Sequence, residues 1–126
     1  MDPLLVFDGD CGFCTRALGW LRVLDRRRII QTAPLQRPGV PELIGCSQEQ
    51  CKKALQWRGV EGQRAQGAEA IAAALAVALD SSLPIKVHRR TATAQDRLYD
   101  LVARNRHRLP GVTPWCQRYP DDCAGS

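Results

Sequence analysis

VFDGDCGFC, residues 6–14, sets an aspartate pair, Asp8 and Asp10, beside a cysteine pair, Cys11 and Cys14. Its reading decides the fold. The wholly apolar run Leu4–Phe7 that leads into it predicts a short buried strand. Asp8, Gly9 and Asp10 break that strand as a turn. Beyond the turn, Phe13, Ala17, Leu18, Leu21 and Leu24 recur at spacings of three and four, which predicts a helix over 12–26. Cys11 and Cys14 therefore fall at a strand-to-helix junction.

Working outward, Ile29, Ile30 and Thr32 suggest a second strand. It should run parallel to the first, because a helix separates the two. Pro34, Pro38, Gly39 and Pro41 mark a loop. Ser47 with Gln50 makes a capping-box pattern for a short helix. Residues 55–60 and 63–66 read as a hairpin turning at Glu61 and Gly62. Residues 68–79 form the plainest helix, with Ile71, Leu75 and Leu79 on one apolar stripe. Ser81, Ser82 and Pro84 end it. A last helix is expected over 94–108, with Thr93 as N-cap and Asp96 in its first turn, stopped by Pro110 and Gly111. Residues 112–126 read as an irregular, cysteine-containing tail laid over a domain spanning 1–111. A parallel pair followed by an antiparallel hairpin, with helices on the faces, is an α/β layout. It is that of a thioredoxin-like domain: a small mixed four-stranded sheet flanked by helices.

A chain of 126 residues builds one core. No apolar stretch is long enough to span a bilayer. The start MDPLLVFDGD carries an acid at position 2 and no basic segment, so it does not read as a secretory signal. The expectation is a cytoplasmic protein that does not enter a membrane. The net charge of +5 gathers in Arg26 to Arg28, Lys86 to Arg90 and Arg104 to Arg108. These are expected to be solvated helix ends and loops, with an acidic protein partner as the sharper alternative. Nucleic acid is disfavoured, because no recognised nucleic-acid motif accompanies the charge.

Six cysteines fall in three pairs: Cys11 with Cys14, Cys46 with Cys51, Cys116 with Cys123. In a reducing compartment such usage raises metal and redox roles. The aspartates offer a rival chemistry. A strand followed by Asp-x-Asp opens haloacid-dehalogenase-type phosphatases, whose first carboxylate attacks phosphorus. That chemistry needs further carboxylates for magnesium. Here the only later adjacent acids are Asp121 and Asp122, in the tail, and the chain is short for that fold.

The cysteines fit their place better. A sulfur at a helix N-terminus meets unpaired N–H groups and the positive dipole end, which favour a thiolate. Cys11 is then the nucleophile. Cys14, one turn further in and expected to be less exposed, resolves the mixed disulfide. Asp10, next to Cys11, opposes ionisation of the thiol. Asp8 is either a buried base for Cys14 or a turn residue bonding nearby backbone N–H groups. Zinc is the rival for the thiols: Cys11 and Cys14 with Cys46 and Cys51, or the last four cysteines together. Disulfides joining Cys116 to Cys123, or Cys46 to Cys51, would each pin a loop. Burial as small hydrophobes is the remaining option.

Asp8-Gly9-Asp10-Cys11-Gly12-Phe13-Cys14 resembles the signature of the DCC family of thiol-disulfide oxidoreductases, Asp-x-x-Cys-x-x-Cys. Gly62 in the hairpin turn is similar to a family position. So are Gly67-Ala68-Glu69-Ala70-Ile71 and the stretch Leu98-Tyr99-Asp100-Leu101-Val102-Ala103-Arg104-Asn105-Arg106. The resemblance covers about residues 4 to 111. It implies a thioredoxin-like fold, a redox-active pair at Cys11 and Cys14, and Asp8 at the family's aspartate. The substrate would be a protein or low-molecular-weight thiol or disulfide, with no cofactor and no metal at the site. Three departures stand out. The segment around Ser81 to Arg90 is shorter, Cys46, Cys51, Cys116 and Cys123 lie outside the pattern, and no proline precedes the third strand as in thioredoxins. Pro34 is then the candidate to contribute from elsewhere. Tyr99 is expected to pack into the core with its hydroxyl bonded, and Asn105 and Arg106 to cap or solvate the helix end. The competing functional reading is a non-enzymatic binding module whose cysteines hold zinc or stay inert.

Overall fold

The computed structural model describes residues 2–123. Four strands form one sheet: β1 (Leu4–Phe7), β2 (Gln31–Pro34), β3 (Gln56–Arg58) and β4 (Arg64–Gln66). Their spatial order is β2-β1-β3-β4. β1 and β2 are parallel, with Leu4 opposite Gln31, while β3 runs antiparallel to β1, with Val6 opposite Gln56. β4 closes an antiparallel hairpin, Trp57 facing Ala65. This is the expected mixed α/β sheet, in keeping with a thioredoxin-like fold.

β1 is central and all four of its residues are buried. Alternate residues feed two cores, as the pleat requires. Leu4 and Val6 join Ala33, Leu35, Val40, Ile44 and Cys51 on one face. Leu5 and Phe7 join Leu18, Trp57, Ala70 and Ala74 on the other. Helices α1 (Gly12–Leu24), α2 (Val40–Ile44), α3 (Gln48–Lys53), α4 (Gly67–Leu79), α5 (Leu83–Asn105) and α6 (Trp115–Arg118) surround the sheet. Ser47 caps α3 through the expected reciprocal bonds with Gln50.

Four local expectations change. β2 starts at Gln31, not Ile29. The buried Asp25 carboxylate accepts the N–H groups of Ile29 and Ile30 and takes them out of the ladder. Residues 40–44, expected in a loop, make α2, because Pro41 sits in its first turn, where its missing N–H costs nothing.

In α4 the buried side is the alanine side: Ala70 and Ala74 are 0% and 2% exposed, whereas Ile71 and Leu79 are 42% and 49% exposed. The small side chains let α4 approach the sheet closely, which the larger stripe would prevent. Finally, Pro84 opens a helix instead of ending one. α5 runs from Leu83 to Asn105 with a break at Thr91 (φ −122°, ψ 24°), whose hydroxyl donates to the Val87 carbonyl at 2.7 Å. A 3₁₀ turn, Arg106–Arg108, follows.

Candidate functional site

The site grows from the end of β1. Asp8 begins a turn closed by Cys11 N–H donating to the Asp8 carbonyl at 3.2 Å. Cys11 then stands at the N-cap of α1 in extended conformation, and its Sγ accepts the Cys14 N–H at 3.2 Å. Its backbone carbonyl accepts both the N–H and the hydroxyl of Thr15. The two cysteines are thus one helical turn apart at the positive end of the first long helix, the placement the sequence implied.

Their exposure is the reverse of the expectation. Cys11 is fully buried (0%), and Cys14 is the partly exposed partner. Their ionisation follows the N-cap. The Cys14 thiol and N–H both donate to Cys11, outweighing burial, and with the Arg106 charge they lower the Cys11 thiol to about 6. Cys14 is pushed well above the ordinary thiol range, first because its proton is held on Cys11, then by burial and by the Cys11 charge.

Asp8 is buried and takes the turn role, one of the two the sequence left open. Its Oδ1 accepts the Asp10 N–H at 3.0 Å, as a turn aspartate would. It also accepts Gln36 Nε2 at 2.8 Å, and its Oδ2 meets Arg106 Nη2 at 2.8 Å. Arg106 Nη1 lies 3.8 Å from Cys14 Sγ. The expectation that Arg106 solvates a helix end is corrected here. The 3₁₀ turn after α5 swings the guanidinium inward, between the carboxylate and the thiols. Asn105 does cap, donating Nδ2 to the Leu101 carbonyl. The Tyr99 hydroxyl accepts the Leu55 N–H at 2.9 Å. Gln36, which carried no signal in the sequence, is 6% exposed; its Oε1 accepts the Gly9 N–H and its Nε2 also reaches Asp10.

The tail lies on this loop. Val112 N–H donates to the Gly12 carbonyl, Cys116 N–H to the Gly9 carbonyl, and Trp115 N–H to the Thr15 hydroxyl. Gly12 permits the approach: a Cβ there would fall 2.5 Å from the Val112 carbonyl oxygen. As far as residue 123 the segment is not irregular. α6 forms within it, followed by a 3₁₀ turn, Pro120–Cys123. Trp115 packs edge-on to Phe7, and Asp122 holds both Trp115 Nε1 (2.7 Å) and Arg37 (2.6 and 2.9 Å). Residues 124–126 lie outside the described ones.

Cys116 and Cys123 are joined as a disulfide, whereas Cys46 and Cys51 are free thiols. Cys46 accepts Arg64 Nη2 at 2.6 Å and donates to Gln56 Oε1. Cys51 is in the core, where burial raises its thiol to about 11. Among the described residues, no three His, Cys, Asp or Glu side chains converge as a metal centre would require. Pro34 is buried at the end of β2, and no cis peptide occurs among the described residues.

Fold and site together define a thioredoxin-like protein with a Cys-x-x-Cys at a helix start. The family model described as DCC1-like thiol-disulfide oxidoreductase matches residues 5–112, and the chain belongs to that family. Neither the curated proteins nor the solved structures compared with the chain gave a match. No helix among the described residues is long and apolar enough to cross a membrane.

Proposed function

We propose that the protein is an enzyme that exchanges thiols and disulfides, with Cys11 as nucleophile and Cys14 as resolving thiol. The reading rests on Cys11 Sγ at the start of α1, taking the Cys14 N–H at 3.2 Å. Exposure alone would favour Cys14, but ionisation decides, since the thiolate is the attacking species. With a thiol at about 6, Cys11 is thiolate by about ten to one at pH 7, while Cys14 stays protonated.

In the first step Cys11 Sγ attacks one sulfur of a substrate disulfide. A mixed disulfide forms, and the other substrate sulfur leaves as a thiolate. Cys14 then loses its proton and attacks Cys11 Sγ, releasing the second substrate thiolate. Two electrons pass to the substrate, and the pair becomes a disulfide. Asp8 is the carboxylate whose charge reaches both thiols. It assists by holding Arg106 beside them and by accepting the Cys14 proton.

The substrate is a protein or small disulfide. The basic surface suits an acidic protein partner. Cys11 is buried, so a substrate reaches it only after local movement. Insulin reduction tests the reading: Cys11→Ser should abolish it and Cys14→Ser should accumulate a mixed disulfide. An unchanged rate in Cys11→Ser overturns it.

A further inference from the structure

The exchange steps above leave the tail disulfide idle, yet it is built onto the loop that carries Cys11. Cys116 N–H donates to the Gly9 carbonyl at 2.9 Å. Cys116 Sγ fills the space that a Cβ on Gly9 would need, 2.5 Å from that position. Gly9 lies inside the turn that Cys11 N–H closes onto Asp8. The Gln36 carboxamide ties the two groups together: its Oε1 is 3.7 Å from Cys116 Sγ, and its Nε2 is on Asp8. The bonded pair is present while Cys11 and Cys14 are both free thiols. A dithiol at the start of α1 and a disulfide in the tail therefore meet at one loop of one chain, the tail docking on Gly9.

Resting on the reading of Cys11 and Cys14 as an exchange pair, we propose that Cys116–Cys123 is a second redox couple that takes electrons from Cys11 and Cys14 within the same chain. Cys11 thiolate attacks Cys116 Sγ. The Cys116–Cys123 bond breaks, a Cys11–Cys116 bond forms, and Cys123 leaves as a thiolate. Cys14 gives up its proton, attacks Cys11 Sγ and expels Cys116 as a thiolate. The Cys11–Cys14 dithiol is oxidised by two electrons, the tail disulfide is reduced by the same two, and the protons lost on one side are regained on the other. Contact between the sulfurs needs α6 to shift on the loop, and α6 is only four residues long. Cys11 is buried, and the disulfide is docked on Gly9, two residues before it, so this is a disulfide held close to a thiol that solvent does not reach.

Peptide mapping after acid quenching and alkylation tests the proposal on the full chain. Trypsin separates Cys11 with Cys14, Cys116 and Cys123 into three peptides, since Arg16, Arg108 and Arg118 lie between them. In the wild type, held anaerobically at pH 8 without added thiol, a Cys11–Cys14 disulfide should appear as Cys116 and Cys123 become alkylatable. Cys14→Ser should yield a Cys11–Cys116 linked peptide, and Cys11→Ser should lose both products. The proposal is overturned if the wild type keeps Cys116–Cys123 as its sole disulfide and Cys14→Ser gives no intramolecular link. Insulin reduction by the Cys116→Ser/Cys123→Ser variant separates this from the primary reading. A Cys11-dependent rate there, with no exchange in the map, removes the relay and leaves the oxidoreductase standing.

Discussion

Arg106 and Asp8, from the two ends of the domain, meet at 2.8 Å beneath the cysteine pair. The guanidinium is largely covered and the carboxylate is buried, with 19% and 7% of their side chains exposed. Such a pair does two jobs at once. It keeps a buried carboxylate from standing uncompensated, and it sets a fixed positive charge beside the thiols.

Arg106→Gln should therefore raise the pH at which Cys11 becomes reactive. The midpoint of the iodoacetamide alkylation rate against pH should move up from about 6. The same variant should lose about 3 kcal/mol of stability, the low end for breaking a buried pair. Asp8→Asn/Arg106→Gln should recover part of that loss in denaturant titrations. An unmoved alkylation midpoint would show that the helix start alone sets Cys11.

Stability of the reduced protein should depend on pH through Cys11. The folded chain lowers this thiol from 9.0 to about 6, so folding favours the thiolate. The resulting stability is full above pH 9 and is lost as pH falls through about 6. Cys14 does not oppose this in the window, because its thiol is protonated in both states below pH 9. The reduced chain should gain up to about 1.4 kcal/mol per pH unit between those limits. Thermal melts of Cys11→Ser should lack that slope.

Gln36→Leu should cost about 1–3 kcal/mol, because it strands the buried Gly9 N–H and removes one donor from Asp8. It should also loosen the turn before Cys11. Hydrogen exchange at Gly9 would rise above wild type, and equal protection would argue against the role of Gln36.

The α4 faces give a contrast free of any redox chemistry. Ala70→Leu forces volume into a site that is 0% exposed and should cost about 1–3 kcal/mol. Ile71→Ala, on the exposed side, should change stability by less than about 1 kcal/mol. The opposite order in melting temperature would restore the large-residue stripe as the core face.

Features set by neighbours in sequence were legible in it. β1, the N-cap at Cys11, the capping box at Ser47 and Gln50, the parallel β1–β2 pair and the β3–β4 hairpin follow from pattern along the chain, whereas the pairing of β1 with β3 does not. The family signature, Asp8 to Cys14, is of the same kind. What escaped depends on distant partners. Ile29 and Ile30 have strand character, but the Asp25 carboxylate claims their N–H groups. In α4 periodicity picked the larger side chains, whereas close packing against the sheet and the neighbouring helices selected alanines. Arg106 reads as a helix-end cation until the chain folds it onto Asp8. Which thiol is buried is settled only once the whole chain has folded around the pair, and no residue near Cys11 announces that.

The two rims of the sheet also shape how the molecule behaves in company. β4 offers only three residues, two of them outward-facing, with Arg64 among them. β2 ends in Pro34, which has no N–H to donate to a fifth strand. Short borders carrying charge or proline make poor templates for strand addition. Crowded copies should therefore resist joining edge to edge, and any partner must be met through helices, turns or sulfur.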